Sequence, residues 1–486
     1  MAQADAPALL WFRQDLRLAD NPALDAALAS GRPVVAAFVF DPALGGPWAM
    51  GAAARWWLHH SLAALDQRLR AAGNRLVLRR GAWAEALPAL VRETGAAEVH
   101  AGRLYAPWER AADAAVAERL AAAGVPITGQ TSLLLHEPWA IRTQQGGPYG
   151  VYSPFSRAAF AAGPPLPPSP APQRIPAPAL HVRSEPLQGW HLLPAAPDWA
   201  GGLRETWQPG EDGAAARLAT FIDGALDRYG EARNLPGIAS SSKLSPHLRF
   251  GELSPRQVWH AVSEAMQPKG RAHDSAVTFL KELLWREFSY HLLWHRPEMP
   301  DAPLRDAFAG FPWRADRALL RAWQQGRTGY PIVDAGMREL WHTGWMHNRV
   351  RMVTASFLVK HLLQPWQAGE AWFWDTLVDA DAASNSASWQ WVAGCGADAA
   401  PYFRIFNPTT QGEKFDADGA YVRRFVPELA RLPNAFIHRP WEAPAPVLQE
   451  AGVRLGETYP APLVDHAQAR ARALAALAHI SAEKAA

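Results

Sequence analysis

The sequence has a single cysteine, Cys395, among 486 residues. One thiol excludes an internal disulfide framework and any zinc or iron–sulfur site that needs several cysteine ligands. Net charge is also small, because 48 lysine and arginine residues nearly balance 46 aspartate and glutamate residues and leave +2. The chain is therefore no histone-like polycation, and any surface for a nucleic acid has to be local.

Long apolar runs and a secretory signal are absent as well. No stretch of about 18 to 20 residues is uniformly apolar and uncharged, as a membrane-spanning helix requires. The residues before Ala8 lack a basic region, and the apolar run Ala8–Phe12 is too short for a signal peptide. These absences predict a cytoplasmic protein with no membrane partner.

Tryptophan, in contrast, is abundant, with 23 residues, and we expect most of them in the apolar core. In the first 135 residues, short apolar runs alternate with helical patterns at 52–72 and 109–123. The alternation predicts a doubly wound, Rossmann-like parallel sheet. The predicted strands are Ala8–Phe12, Val34–Phe40, Leu76–Leu78 and Glu98–Ala101.

Residues 161–200 are crowded with proline, which predicts an extended connection rather than a helix or an inner strand. Beyond about residue 212 the patterns are helical. We therefore predict an α/β domain over 1–135, a connector over 136–211 and an all-helical domain over 212–486.

Several longer motifs follow one another along the chain. The first is Trp11–Pro22, and the helical part contains Trp345–Met352, Asp379–Asp381, Trp389–Trp391, Asp398–Pro408 and Gln411–Asp416. In their order and spacing these blocks resemble the photolyase/cryptochrome family over nearly the whole chain. The resemblance implies an α/β antenna domain, a long connector and a helical domain that buries FAD, the same division as above.

The resemblance also implies which residues hold the flavin. A serine-rich segment matches the family's phosphate-binding stretch, and small hydroxyl groups and backbone N–H groups at a helix start suit a pyrophosphate. A guanidinium and an asparagine amide at the ring edge would stabilise negative charge on the reduced flavin. The matching cofactor-binding positions are Tyr229, Ser241, Ser242, Lys243, Leu244, Ser245, Arg286, Trp345, Asn348, Arg351, Asp379, Ala380, Asp381 and Asn385.

A second matching set implies a pocket for a dimer flipped out of DNA, since photolyases are among the enzymes that extrude their target from the stack. Glu282, Trp285 and Arg286 are spaced to share one helical face. Glu282 would contact the thymine edges as a catalytic residue, and two tryptophans would form an apolar wedge. The DNA-binding positions are Arg233, Glu282, Trp285, Asn348, Arg349, Met352, Trp391 and Gln411.

Asn348 and Met352 indicate the type of lesion. Relatives that repair (6-4) photoproducts carry histidines at these two positions, where one can act as an acid. Neither residue can donate a proton as imidazolium does. The pattern therefore favours cyclobutane pyrimidine dimers, whose repair needs only an electron in and out.

Three tryptophans match the family's electron-transfer triad. They are Trp389, Trp366 and Trp313, ordered from the flavin toward the surface. With Asn385 at the flavin, these residues complete the catalytic set that the resemblance implies.

Glu287, His291 and His295 recur at four-residue spacing on one predicted helix, a geometry that can hold a divalent ion. No further ligand is evident, and the spacing is common by chance. We therefore predict no metal.

The resemblance leaves the subclass open between class I and class III bacterial photolyases, and with it the antenna pigment. We expect 5,10-methenyltetrahydrofolate, with 8-hydroxy-5-deazaflavin as the alternative, and DNA containing pyrimidine dimers as the partner of a monomeric protein. The main rival is a cryptochrome-type blue-light photoreceptor. A flavin oxidoreductase working in darkness ranks last, because no G-x-G-x-x-G follows the first strand.

Overall fold

A computed structural model describes residues 6–398 and 403–483 of the chain. Residues 399–402, inside the motif Asp398–Pro408, lie outside the described residues. The chain forms two compact units. The first contains the residues up to Gly224 together with Ser242–Pro297 and Val378–Asp381, and the second contains Ala225–Ser241, Glu298–Leu377 and the residues from Ala382 onward. The domain boundaries at 135 and 211 stay a prediction.

Within the described residues, five strands form one parallel sheet in the order β3-β2-β1-β4-β5. Strand β1 is fully buried and pairs with β2 from Ala8 opposite Val34 to Phe12 opposite Phe38. A parallel sheet covered on both faces requires such continuous apolar strands. The strands are β1 Ala8–Phe12, β2 Val34–Phe40, β3 Leu76–Arg80, β4 Glu98–Gly102 and β5 Ile127–Gln130.

Helices connect the strands and make up most of the remaining regular structure. In chain order, the first are α1 Pro22–Ala29, α2 Ala52–Ala71, α3 Trp83–Thr94, α4 Pro107–Ala122, α5 Tyr152–Ala161, α6 Gly201–Thr206, α7 Glu211–Gly224, α8 Tyr229–Ala232, α9 Ser245–Phe250, α10 Pro255–Ala265 and α11 Arg271–His295. They continue with α12 Arg317–Gln324, α13 Pro331–Thr343, α14 Asn348–Ser356, α15 Trp366–Thr376, α16 Ala382–Ala393, α17 Pro408–Phe415, α18 Ala420–Phe425, α19 Ala445–Ala451 and α20 His466–Glu483.

The doubly wound parallel sheet and the four predicted strands are confirmed. The fifth strand, β5, had not been predicted, because Ile-Thr-Gly-Gln offers one apolar residue and no alternation. Residues 163–186 form neither helix nor strand, in agreement with the extended connection. No helix in the described ranges is long and apolar enough to cross a membrane.

The opening motif Trp11–Pro22 has a structural role. Its Asn21 caps α1, with its side-chain oxygen accepting from the backbone N–H groups of the second and third helical residues at 3.1 Å each. The guanidinium of Arg17 is buried and donates to the carbonyls of Asp20, Ser132 and Gly251. These bonds join three segments that are distant in sequence.

Candidate functional site

Helix α11 presents three of the predicted residues on one face. The helix is continuous, so Glu282, Trp285 and Arg286 project from the same side, as predicted. The ring of Trp285 stacks directly on Tyr152, with centroids 3.6 Å apart and planes 9° from parallel. The hydroxyl of Tyr152 donates to the carbonyl of Lys281. The indole is therefore held on one of its faces by a residue to which no motif pointed.

Arg286 is fixed by neighbours in the first unit. Its Nη1 donates to the carbonyl of Leu133 at 2.8 Å, and the guanidinium lies 5.1 Å from the ring centroid of Tyr290. The hydroxyl of Tyr290 donates to the carboxylate of Asp381. Burial, reinforced by the charge of Asp381, raises the pKa of Tyr290 well above its ordinary value. The tyrosine therefore stays a hydrogen-bond donor that positions Asp381.

The predicted flavin segment Asp379–Asp381 is buried and polar. The hydroxyl of Ser245 donates to Oδ2 of Asp379 at 2.6 Å, which brings together two residues that had been predicted separately. Arg249 donates through Nε to the carbonyl of Ala380. Its Nη1 is buried without a hydrogen-bond partner in the part of the chain that the structure describes. Buried donors and acceptors of this kind fit a ligand rich in hydroxyl, amide and phosphate groups.

The serine-rich segment contains a tight bend before α9. Lys243 has a φ of 53°, the left-handed region that non-glycine residues rarely adopt. Ser242 Oγ accepts from the N–H of Leu244 at 3.4 Å. Ser241 and Tyr229 belong to the second unit, where the guanidinium of Arg233 lies 5.4 Å from the Tyr229 ring centroid. Phosphate binding by this segment stays a prediction.

Helix α14 starts at Asn348 and carries Asn348 and Arg351 on one side, as their spacing predicts. The preceding His347 caps the helix, its Nδ1 accepting from the N–H of the second helical residue at 3.2 Å. Nε of Arg351 donates to the carbonyl of Met346 at 2.7 Å, and its guanidinium lies 5.8 Å from the ring centroid of Trp345. These contacts hold the guanidinium of Arg351 in one orientation.

An open cavity of about 780 Å³ in the second unit contains two predicted DNA-binding residues, Arg349 and Gln411. Arg404, Lys414 and Arg470 also line it, and none of the described lining residues is acidic. The last of these lies on α20. We call this site the cationic cavity; four positive side chains without a carboxylate suit a phosphate chain.

Arg349 lies at the centre of the positive charge. Burial, and then the charges of Arg233 and Arg404, lower its pKa. Its Nη2 donates to Asn234 at 2.7 Å, while its Nε and the Oε1 of Gln411 are buried without a partner in the described residues. Both atoms could hydrogen-bond a ligand at the cavity wall.

The three tryptophans of the predicted electron-transfer triad, called the tryptophan wire from here on, lie in the second unit. Trp389 and Trp366 are buried, at 2% and 1% exposure, whereas Trp313 is half-buried. A Cβ on Gly369, one turn after Trp366 on α15, would lie 2.1 Å from Cη2 of Trp389. The Trp389 ring therefore lies against the backbone of the helix that begins with Trp366. The relay through the three rings stays a prediction.

Two buried side chains next to the predicted residues had not been identified. Trp323 packs edge-to-face with Trp389, with centroids 6.2 Å apart. Glu370 accepts through its backbone carbonyl from Asn385 Nδ2 at 3.1 Å, and its side chain accepts from Ser386. Burial raises the pKa of Glu370 well above its ordinary value, which favours the protonated carboxyl.

Of the remaining predicted positions, Met352 and Trp391 are half-buried. The side chains considered for a metal have other partners: Glu287 accepts from two backbone N–H groups, at 2.9 and 3.1 Å, and His291 uses both ring nitrogens on Pro138 and Tyr149. Across residues 6–398 and 403–483 no group of three or more His, Cys, Asp or Glu side chains is arranged to hold a metal.

A separate aromatic pair lies in the first unit. The rings of Trp48 and Trp108 are 12° from parallel, with centroids 6.4 Å apart. Gly45 precedes this pair with a φ of 87°, and a Cβ there would lie 3.2 Å from Cδ1 of Trp108. A larger residue at Gly45 would therefore strain the backbone and crowd the indole.

Comparisons with known proteins agree along the whole chain. Residues 8–173 match the family described as DNA photolyase, and residues 279–479 match the family described as the FAD binding domain of DNA photolyase. The deoxyribodipyrimidine photo-lyase of Agrobacterium fabrum is 52% identical over 480 residues, covering 99% of both chains. Cryptochrome-1 of Arabidopsis thaliana is 40% identical over 97% of this chain and 70% of its own. A crystal structure of a bacterial class III photolyase from Agrobacterium tumefaciens superposes with a TM-score of 0.94 at 51% identity, covering 99% of both chains.

Proposed function

Because the chain belongs to the DNA photolyase family, we propose that it is a light-driven, FAD-dependent enzyme that repairs cyclobutane pyrimidine dimers in DNA. The similarity to a deoxyribodipyrimidine photo-lyase extends over the full length of both proteins and exceeds the similarity to the plant cryptochrome. The similarity to a class III photolyase structure favours class III over class I.

The cationic cavity is the observation that supports a DNA substrate most directly. Its four positive side chains lie where Arg349 and Gln411 had been predicted to bind DNA. We propose that Arg349 binds the strand next to the lesion, since its unpaired Nε can donate to a phosphate oxygen.

FAD, when bound, supplies the light-driven electron that splits the dimer. The described residues fit such a cofactor, because Asp379 and Asp381 are buried and already oriented by Ser245 and Tyr290. We propose that these carboxylates orient the cofactor. Arg351 and Asn385, which the resemblance also assigns to the cofactor, belong to the second unit, where the backbone carbonyl of Glu370 holds the Asn385 amide in place.

At the lesion, Trp285 would offer an apolar face to the flipped-out pyrimidines. The stack with Tyr152 covers its other face, so the indole cannot turn away when the lesion enters. The carboxyl group of Glu282, one turn earlier on α11, would form hydrogen bonds with the polar edges of the pyrimidines. Asn348 and Met352 provide no imidazolium, which restricts the chemistry to electron transfer.

A direct assay separates repair from photoreception. The flavin-loaded, chemically reduced protein is mixed with DNA that contains thymine dimers, illuminated with blue light, and the restored thymines are counted. We expect light-dependent repair that fails in darkness. Binding of the damaged DNA without restored thymines would favour the cryptochrome-type photoreceptor, and repair in darkness would exclude both.

We also propose that the antenna is 5,10-methenyltetrahydrofolate and that Trp48 and Trp108 sandwich its planar ring. Two rings in direct contact are 3.6 Å apart, as Tyr152 and Trp285 are, whereas these two indoles are nearly parallel at 6.4 Å. One flat ring between them would need a separation of about 7 Å, so the two indoles would have to move slightly apart to admit it.

Pigment extraction with mass analysis tests this assignment. Trp108→Ala is expected to lose the folate and retain the flavin, and Trp139→Ala, at another tryptophan of the first unit, is the control that keeps both. An extract that contains 8-hydroxy-5-deazaflavin would contradict the assignment. The monomeric state and the cytoplasmic location stay predictions from the sequence.

A further inference from the structure

A second basic cavity opens next to Trp313. It has a volume of about 610 Å³ and is lined by three arginines, Arg314, Arg317 and Arg472. Its one described acidic residue is Asp316, whose Oδ1 accepts from the N–H groups of the second and third residues of α12 at 2.9 and 3.0 Å. Because that carboxylate caps the helix, it offsets the arginine charge only in part.

The arginines are available to a ligand to different degrees. Arg314 and Arg317 are exposed, and neither guanidinium forms an ion pair with a carboxylate in the described residues. Arg472, on α20, donates through Nη2 to the carbonyl of His361. The positive charge of Arg314 also acts on Arg472, so the two are close enough to repel each other. An anion between them would relieve that repulsion.

The cavity begins one residue beyond the predicted outer end of the tryptophan wire. Arg314 follows Trp313 directly, and consecutive Cα atoms are about 3.8 Å apart. The N–H of Arg314 donates to the carbonyl of Leu363 at 2.6 Å, and the buried Leu362 forms part of the cavity wall. The Trp313 ring packs on Phe311, with centroids 4.3 Å apart. The backbone therefore fixes Trp313 directly before the first residue that lines the cavity.

We propose that this cavity binds a small anionic one-electron reductant, such as ascorbate, and delivers it to Trp313. The inference rests on the proposed function, because it needs Trp313 as the outer end of the wire. When the wire works, Trp313 is left oxidised by one electron. The bound ascorbate monoanion gives one electron to the indole, becomes the ascorbyl radical and releases its proton to water. The indole returns to its neutral form, and no bond forms between the two molecules.

The test is the decay of the oxidised tryptophan after a light flash, followed by transient absorption in the flavin-loaded protein. Its rate is measured against the concentration of ascorbate, and separately against hydroquinone, which is neutral. We compare the wild type with Arg314→Gln, Arg317→Gln and the double variant. Arg431→Gln, which removes an exposed arginine that does not line the cavity, is the matched control.

We expect the second-order rate with ascorbate to fall about 3-fold for each single variant and about 10-fold for the double variant, as loss of electrostatic steering predicts. The wild-type rate should also fall between about 0.01 M and 1 M salt, because the Debye length shrinks from roughly 30 Å to 3 Å. Hydroquinone rates, and all rates of Arg431→Gln, should stay at the wild-type value.

Two results would overturn the proposal in distinguishable ways. If the double variant reacts with ascorbate as fast as the wild type at low salt, or loses the same factor with hydroquinone, the cavity does not recruit anions. If Trp313→Phe leaves the tryptophan transient unchanged, the wire ends elsewhere and the cavity has no such role. In that second case the DNA repair assay is unaffected, so the failure of this inference is not a failure of the proposed repair activity.

Discussion

The contact between Gly369 and Trp389 allows a quantitative test of how the inner end of the wire is built. In Gly369→Ala the new Cβ would lie 2.1 Å from Cη2 and 2.5 Å from Cζ3 of Trp389. Carbon atoms in ordinary contact are about 3.5 to 4.0 Å apart, so the indole has to shift by roughly 1.5 Å. A third neighbour, Cδ2 of Leu358, would lie 2.7 Å from the Cβ, so the site has little room to relax around the new methyl group.

The stability change is the sum of two opposing effects. Overpacking a buried site costs about 1 to 3 kcal/mol. Replacing glycine by alanine inside a helix raises the free energy of unfolding by up to about 1 kcal/mol. Gly224, the last residue of α7, is a glycine-to-alanine control without overpacking, since a Cβ there would meet no atom within 4 Å. We therefore expect Gly369→Ala to be less stable than Gly224→Ala by about 1 to 3 kcal/mol.

Urea unfolding followed by circular dichroism measures this difference, and flavin photoreduction under blue light measures the displacement of the indole. We expect slower photoreduction in Gly369→Ala and an unchanged rate in Gly224→Ala. Equal stability and equal photoreduction in the two variants would refute the reasoning, because Trp389 would then not lie against α15.

Three further predictions concern the wire, the DNA and the dependence on pH. Trp313→Phe should impair photoreduction of the oxidised protein, while repair returns once the flavin is reduced chemically; equal loss of both would show that Trp313 is misassigned. Arg349→Gln should weaken binding to all DNA sequences and lower the slope of log K against log salt by about 1 in a salt titration; an unchanged slope would place the phosphates elsewhere. Burial lowers the pKa of His361 from 6.5 to about 3, so the unfolded chain binds more protons between these values, and stability is lost as pH falls through that window. Between pH 6.5 and 5 this group should lower the free energy of unfolding of the wild type by about 2 kcal/mol, and His361→Gln should abolish that decrease, as measured by urea unfolding at both pH values.

Much of the α/β layer could be predicted from the sequence because its inner strands are continuous apolar runs. Strand β2 is buried along its whole length, and that burial requires the pattern Val-Val-Ala-Ala-Phe-Val-Phe. The edge strand β5 is partly exposed, so no such requirement acts on it. Edge strands are the elements that apolar patterns identify least well.

In the candidate site, motifs identified positions but not the residues that support them. Spacing on α11 correctly placed Trp285 on a face with Glu282, because helical geometry is local. The stack of Trp285 on Tyr152 joins residues 133 positions apart, and the bond from Asn385 to Glu370 joins different helices. Such contacts depend on tertiary packing, which neither periodicity nor a motif reports.

The buried guanidinium of Arg17 has a consequence for how the molecule can be divided. Three chain segments must be in place before all of its donors are satisfied, and one of them, at Gly251, comes long after the sheet is complete. A fragment that stops at residue 135 would leave this cation in the interior with an acceptor missing, at a cost of about 1 to 3 kcal/mol. Through this one side chain, the stability of the sheet-containing part of the first unit is thus coupled to a much later part of the polypeptide.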